Sequence, residues 1–188
     1  MTSYKAIHKQ KFSKGEYHIV PIRYEDRMHI LKWRNDQVYH LRQDKLLTGA
    51  DQEIYFTRVV KPLFDQKQPN QLLFSYLEGD TCIGYGGLVH LNWIDKNAEI
   101  SFVMNTSLEK KYFSKHWKTF LKLIEEVAFN ELKLNKIFTF AFDVRPNLYA
   151  SIENSGFMKE AILKKHIFFN GEYKDVVIHS KFNALEKR

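Results

Sequence analysis

The sequence predicts an α/β (α+β) fold: a mixed, mostly antiparallel central sheet of six or seven strands flanked by helices. Three observations carry that prediction. From Gln71 to Met104 apolar residues recur with a period of two, and turn residues interrupt them twice, as three consecutive antiparallel strands require. Trp117, Phe120, Leu121, Ile124, Val127, Ala128 and Leu132 recur at three- and four-residue spacings, which is one face of a long helix. Near the end of the chain Asn170-Gly171, the pair that best suits a type I′ turn, separates two stretches that read as a hairpin.

The elements follow in order. Tyr17 to Ile22 reads as a first strand and leads into a helix over about Glu25 to Asn35, with Met28, Leu31 and Trp33 inward. Thr48 and Asp51 have the spacing of a capping box. Behind them Ile54, Tyr55, Val59, Leu63 and Phe64 give a second amphipathic helix, which Pro62 is expected to kink or end. Glu78-Gly79-Asp80 and Asp95-Lys96-Asn97 are the two turns of the three-stranded stretch. Ser114 is the expected N-cap of the long helix. The apolar run Lys136 to Val144 reads as a buried strand. Arg145-Pro146 opens a shorter helix, and Gly156 suits the left-handed position that closes it.

Composition narrows the class. With 188 residues, 44% hydrophobic and 27% charged, the chain has the make-up of one globular domain rather than a disordered or repeat protein. No linker marks a boundary inside it. A single cysteine, Cys82, allows no internal disulfide and reads as a small core residue, and the N-terminus has neither a signal-peptide core nor a spanning segment. A cytoplasmic location is the expectation. Lys5, Lys9, Lys11 and Lys14 supply more than half of the formal net charge of +7, so residues 1–15 read as a flexible basic arm and residues 16–188 as the folded domain. Nucleic acid is not the expected partner, because no finger spacing or RNA-binding signature accompanies the charge. The eight histidines show no metal-ligand spacing, and no metal is expected.

Four short sequences, in this order and spacing, make the chain resemble the GNAT superfamily of acyl-CoA-dependent N-acyltransferases over roughly Ile19 to Phe182. They are Trp33-Arg34-Asn35-Asp36, Ala98 to Phe102, Leu132 to Ile137 and Asn154 to Phe157. They are similar to the branch holding ribosomal-protein and nucleotide-aminosugar N-acetyltransferases. The resemblance implies a GNAT acyltransferase domain over residues 16–188, in which two central strands splay apart. It also implies that acetyl-CoA serves as co-substrate, its pantetheine arm completing the broken ladder along the backbone of Phe102, Val103 and Met104. The implied reaction is direct acetylation of a primary amine on a small molecule. The implied base is Glu99, with Tyr149 the nearest tyrosine that could act as acid, because the family's position is Ile152 here. Arg34, Asn35, His90 and Asn92 would line the acceptor side. A nucleotide-linked amino sugar is the preferred acceptor, a protein N-terminal amine the alternative, and a non-catalytic scaffold the competing class. The resemblance also allows a homodimer.

One departure stands out. The family cradles the pyrophosphate in R/Q-x-x-G-x-G/A before the long helix, yet no glycine lies between Gly87 and Gly156. Alignment puts the cradle at Tyr112 to Trp117. Two outcomes stay open: Lys110, Lys111 and Lys115 neutralise the phosphates beside a helix start capped by Ser114, or the cradle is lost.

Overall fold

The computed structural model describes residues 2–43 and 45–184. The strands are β1 (Phe12–Lys14), β2 (Tyr17–Pro21), β3 (Leu72–Glu78), β4 (Thr81–Asn92), β5 (Asn97–Met104), β6 (Lys136–Phe142), β7 (Met158–Phe169) and β8 (Glu172–Phe182). They form one eight-stranded sheet in the order β1-β2-β3-β4-β5-β6-β8-β7. Every neighbouring pair is antiparallel except β5 and β6.

The eighth strand comes from the segment expected to be a flexible arm. Tyr4, Ile7 and Phe12 are buried, and the Tyr4 hydroxyl donates to the Leu73 carbonyl (2.8 Å) while accepting from the Leu73 N–H (3.0 Å). The four lysines point to solvent while the apolar residues between them seal one face of the sheet. A solvated arm is therefore not what residues 2–15 form.

Helix α1 (Arg27–Asp36) buries Leu31 and Trp33 but leaves Met28 about half exposed. The capping box at Thr48 and Asp51 starts α2 (Gly49–Tyr55) as expected. A π-helical turn, Phe56–Val60, then rotates the inward face, so that Phe56, Val60 and Leu63 are buried while Ile54 and Val59 are exposed. Pro62 ends nothing. It lies in the first turn of α3 (Lys61–Leu63), where a missing N–H costs little.

The long helix α4 (Thr106–Glu125) passes into a second π turn, Glu126–Glu131. It packs across the sheet, with the Phe120 ring stacked on Phe102 at 4.1 Å and Trp117 edge-on to the same ring at 5.1 Å. Of the seven stripe residues six are buried and Leu132 is half-buried. Its start differs from expectation: Asn105, not Ser114, is the cap, accepting from the Ser107 N–H at 3.0 Å. Ser114 is an exposed mid-helix residue. The first turns carry Ser107, Lys110, Lys111 and Tyr112 outward, so no apolar period announces them. Beyond β6, α5 (Pro146–Glu153) ends before Gly156, whose φ of +83° matches the left-handed position. Asn170 and Gly171, at φ +51° and +83°, make the expected hairpin turn between β7 and β8.

Candidate active site

The parallel pair β5 and β6 is hydrogen-bonded only at Asn97–Lys136, Ala98–Ile137 and Glu99–Phe138. Beyond Glu99 the strands diverge, although β5 still pairs with β4 and β6 with β8. The divergence leaves a wedge-shaped gap whose facing edges lack ladder partners, and a cleft of about 180 Å³ fills it. Gly86 keeps the wall straight: a Cβ there would lie 2.2 Å from the Ser101 carbonyl oxygen, so only glycine lets β4 pair this closely with β5.

At the closed end of the gap, Glu99 is buried on the face away from α4. One carboxylate oxygen pairs with Arg42 and the other lies 2.9 Å from Nδ1 of His90. Arg42 also lies over the Phe140 ring at 4.7 Å. His90 sits at a β-bulge with φ +50°, a left-handed conformation unusual for a non-glycine residue, and its side chain is 65% exposed. With Nδ1 committed to Glu99, Nε2 is the free basic atom of the cluster.

At the open end the chain turns from β5 into α4 through the single residue Asn105. Tyr112 to Trp117, expected at the phosphate cradle, is continuous helix, since without glycines this run of ordinary side chains winds into α4. Lys110 and Lys111 are exposed on its flank, and Lys115 donates to the Tyr17 hydroxyl at 2.7 Å. None of the three lies at a helix terminus. The true start of α4 is sealed: the Thr106 hydroxyl donates to Asp36 (3.1 Å) and the Gln37 amide donates to the Met104 carbonyl (2.8 Å). Opposite it, Arg145 donates to Glu109 (2.8 Å) and to Nε2 of His40 (3.0 Å). Burial and the adjacent guanidinium push His40 down to about 3, so it stays a neutral acceptor. Burial also lowers Arg145, with Glu109 acting in the opposite direction.

The other expected site residues fall in three groups. Of Phe102, Val103 and Met104, only Phe102 lines the cleft; the Val103 carbonyl faces Gly84 on β4, the Met104 carbonyl accepts from Gln37, and all three side chains are buried in the two cores. Arg34 lines the cleft, donating to the Tyr85 hydroxyl (2.8 Å) and to Gln43 (3.2 Å). Asn35, Asn92 and Tyr149 are engaged elsewhere. Asn35 staples the following loop through Leu47 and Gln43, and Asn92 caps the β4–β5 turn through Ile94 and Asp95. Tyr149 donates to Asp143 at 2.8 Å, and burial followed by that bond raises its hydroxyl. Ile152 is core. Cys82, pushed up to about 12 by burial, lies in the opposite core. Among the described residues no cluster of His, Cys, Asp or Glu could hold a metal. No described helix is long and apolar enough to cross a membrane.

Arg42, His40 and Thr139 were not expected in the site. Thr139 lines the cleft almost fully buried, and its hydroxyl has no hydrogen-bond partner. An orphan hydroxyl beside two unpaired strand edges fits the amides of a pantetheine arm. At the open end Asp36 and Glu109 flank the start of α4, and the cation facing them is Arg145. Beside the closed end, and sharing Leu41, Arg42 and Phe142 with the cleft, a groove of about 810 Å³ runs between residues 38–46 and the tip of the β7–β8 hairpin.

The GNAT acetyltransferase domain matches residues 19–178. The chain belongs to that family. It is an N-acetyltransferase that takes its acetyl group from acetyl-CoA. Among solved structures it is similar to the spermidine N-acetyltransferase of Vibrio cholerae in complex with CoA and spermine: TM-score 0.80, 18% identity, 91% of this chain and 98% of that one. A dodecameric structure of the Vibrio enzyme in an intermediate state gives a TM-score of 0.74 at 19% identity, over 91% and 96% of the two chains. At these identities the likeness is one of fold. No curated protein matches the sequence.

Proposed function

We propose that the acceptor is a primary amine carried by a molecule with negative charge and some apolar surface, of which a nucleotide-linked amino sugar is the favoured example. The observation that supports this is the groove beside the closed end. Among the described residues its lining carries Lys45 and Arg42, the latter shared with Glu99, over a floor of Leu41, Phe142 and Phe168. Glu99, the carboxylate nearby, is spent on Arg42 and His90.

The reaction is direct. The amine lone pair attacks the thioester carbonyl, a C–N bond forms, the C–S bond breaks and the thiolate leaves with a proton from solvent. The proton lost by the amine passes to His90 Nε2, directly or through water, while Glu99 holds the ring by Nδ1 and Arg42 holds Glu99. Backbone N–H groups of the unpaired β5 edge face the carbonyl oxygen as it gains charge.

A thiol-release assay with acetyl-CoA against nucleotide-linked amino sugars, peptides with free N-termini and spermidine tests this. Turnover on the sugars and none on spermidine is expected. Preferential turnover of spermidine overturns the acceptor assignment, and turnover of peptides alone moves it to a protein N-terminus.

A further inference from the structure

The open end of the gap holds an arrangement that the transfer chemistry leaves unexplained. Of the three arginines lining the cleft, Arg42 is held by Glu99 and Arg34 by Tyr85. Arg145 is the one at the open end, where β6 gives way to α5. Its side chain is 12% exposed and lies over the Phe113 ring at 5.0 Å. It spans from α5 to Glu109 on the first turn of α4, so a single ion pair bridges the two sides of the mouth. No side chain caps α5, so its amino end adds partial positive charge to the same spot.

We propose that Arg145 holds the diphosphate of the acetyl donor, giving up Glu109 to do so. A guanidinium suits the task because it pairs in bidentate fashion with carboxylate or phosphate alike, and the ring of Phe113 fixes its plane. The exchange accounts for a mouth that keeps a cation while lacking a glycine loop. It also assigns Glu109 a role: an internal anion that occupies the guanidinium until the diphosphate displaces it. His40, held neutral, accepts from the other arm and keeps the guanidinium oriented after Glu109 leaves.

The proposal rests on the pantetheine arm lying in the gap, and calorimetric titration with coenzyme A and with pantetheine separates the two. Wild type is expected to bind coenzyme A at least tenfold more tightly than pantetheine. Arg145→Gln should raise the dissociation constant for coenzyme A about tenfold and leave that for pantetheine unchanged, with Arg145→Lys in between. Glu109→Gln should tighten coenzyme A binding. The double variant Arg145→Gln/Glu109→Gln leaves no unpaired charge and should fold and bind like Arg145→Gln. Equal affinity of wild type for the two ligands, or an equal loss of both in the arginine variants, overturns the assignment of Arg145 while leaving the gap as the pantetheine site. Binding of neither ligand to folded wild type removes both readings.

Discussion

The two ends of the gap between β5 and β6 are built in opposite ways. The closed end brings together side chains from β4, β5 and the loop after α1, and they satisfy one another: Arg42 to Glu99, Glu99 to His90. The open end is built by helix starts, and an ion pair, Arg145 to Glu109, joins α5 to α4 across it. What lies between them is backbone. A ladder left open needs no particular side chain, so the gap is present in a sequence that has no glycine cradle before α4. Recognition made by backbone persists through substitution, whereas recognition made by side chains has to be rebuilt.

The largest expected effect breaks the closed end. His90→Asn keeps a residue that tolerates a left-handed backbone and a donor toward Glu99, but removes Nε2. The turnover number should fall by about 10²- to 10³-fold, the usual worth of a positioned proton acceptor, with coenzyme A affinity unchanged. Its signature is the split between the two constants: kcat should fall while KM for acetyl-CoA stays within about twofold. Equal losses in turnover and in donor binding would make His90 a brace for Glu99 instead.

How much of this was legible follows from how each contact is made. Alternation announced β3, β4 and β5, and Asn170-Gly171 announced the last turn, because those signals are local. Glu99 and His90 were singled out by the family resemblance, which could be laid onto them because they sit on recognisable strands. Arg42 could not: its loop has no period, and its partner is 57 residues away. Arg145 was noticed only as the residue opening α5, because Glu109 was assigned to no element. The start of α4 was missed for the converse reason, since its first turns face solvent and the cleft mouth and carry no apolar stripe. The same limit hid the packed N-terminal segment that leads into β1, where Tyr4, Ile7 and Phe12 are too irregularly spaced among lysines to show a period.

A smaller effect sharpens the open end. His40 is pushed from its ordinary 6.5 down to about 3 by burial and by Arg145. Protonation is therefore favoured in the unfolded chain, and stability is lost as pH falls from about 6.5 toward 3, by up to about 1.4 kcal/mol per unit. His18 and His116, also lowered by burial, act in the same direction, so the difference between wild type and His40→Gln isolates the term. Between pH 6.5 and 4.5 the melting temperature of wild type should drop several degrees more than that of the variant. Parallel curves would mean that His40 gains a proton without cost, and that Arg145 is held by Glu109 alone.

The smallest effect concerns the lysines on the flank of α4. Lys110 and Lys111 stand on exposed stems, and Lys115 is occupied with the Tyr17 hydroxyl and lies 4.8 Å from its ring. At physiological salt a charge beyond about 8 Å is largely screened, and flexible exposed pairs contribute about 0–1 kcal/mol each. Changing all three to alanine should therefore alter coenzyme A affinity less than about threefold, far below the tenfold expected of Arg145→Gln. A modest loss of melting temperature is expected from Lys115 alone, because Tyr17 loses its donor. A tenfold loss of affinity in the triple variant at unchanged melting temperature would put the phosphates on the outer flank of α4. The open end would then be a site of diffuse charge rather than one fixed guanidinium, and the contrast between the two ends of the gap would be one of order against disorder rather than of one partner exchanged for another.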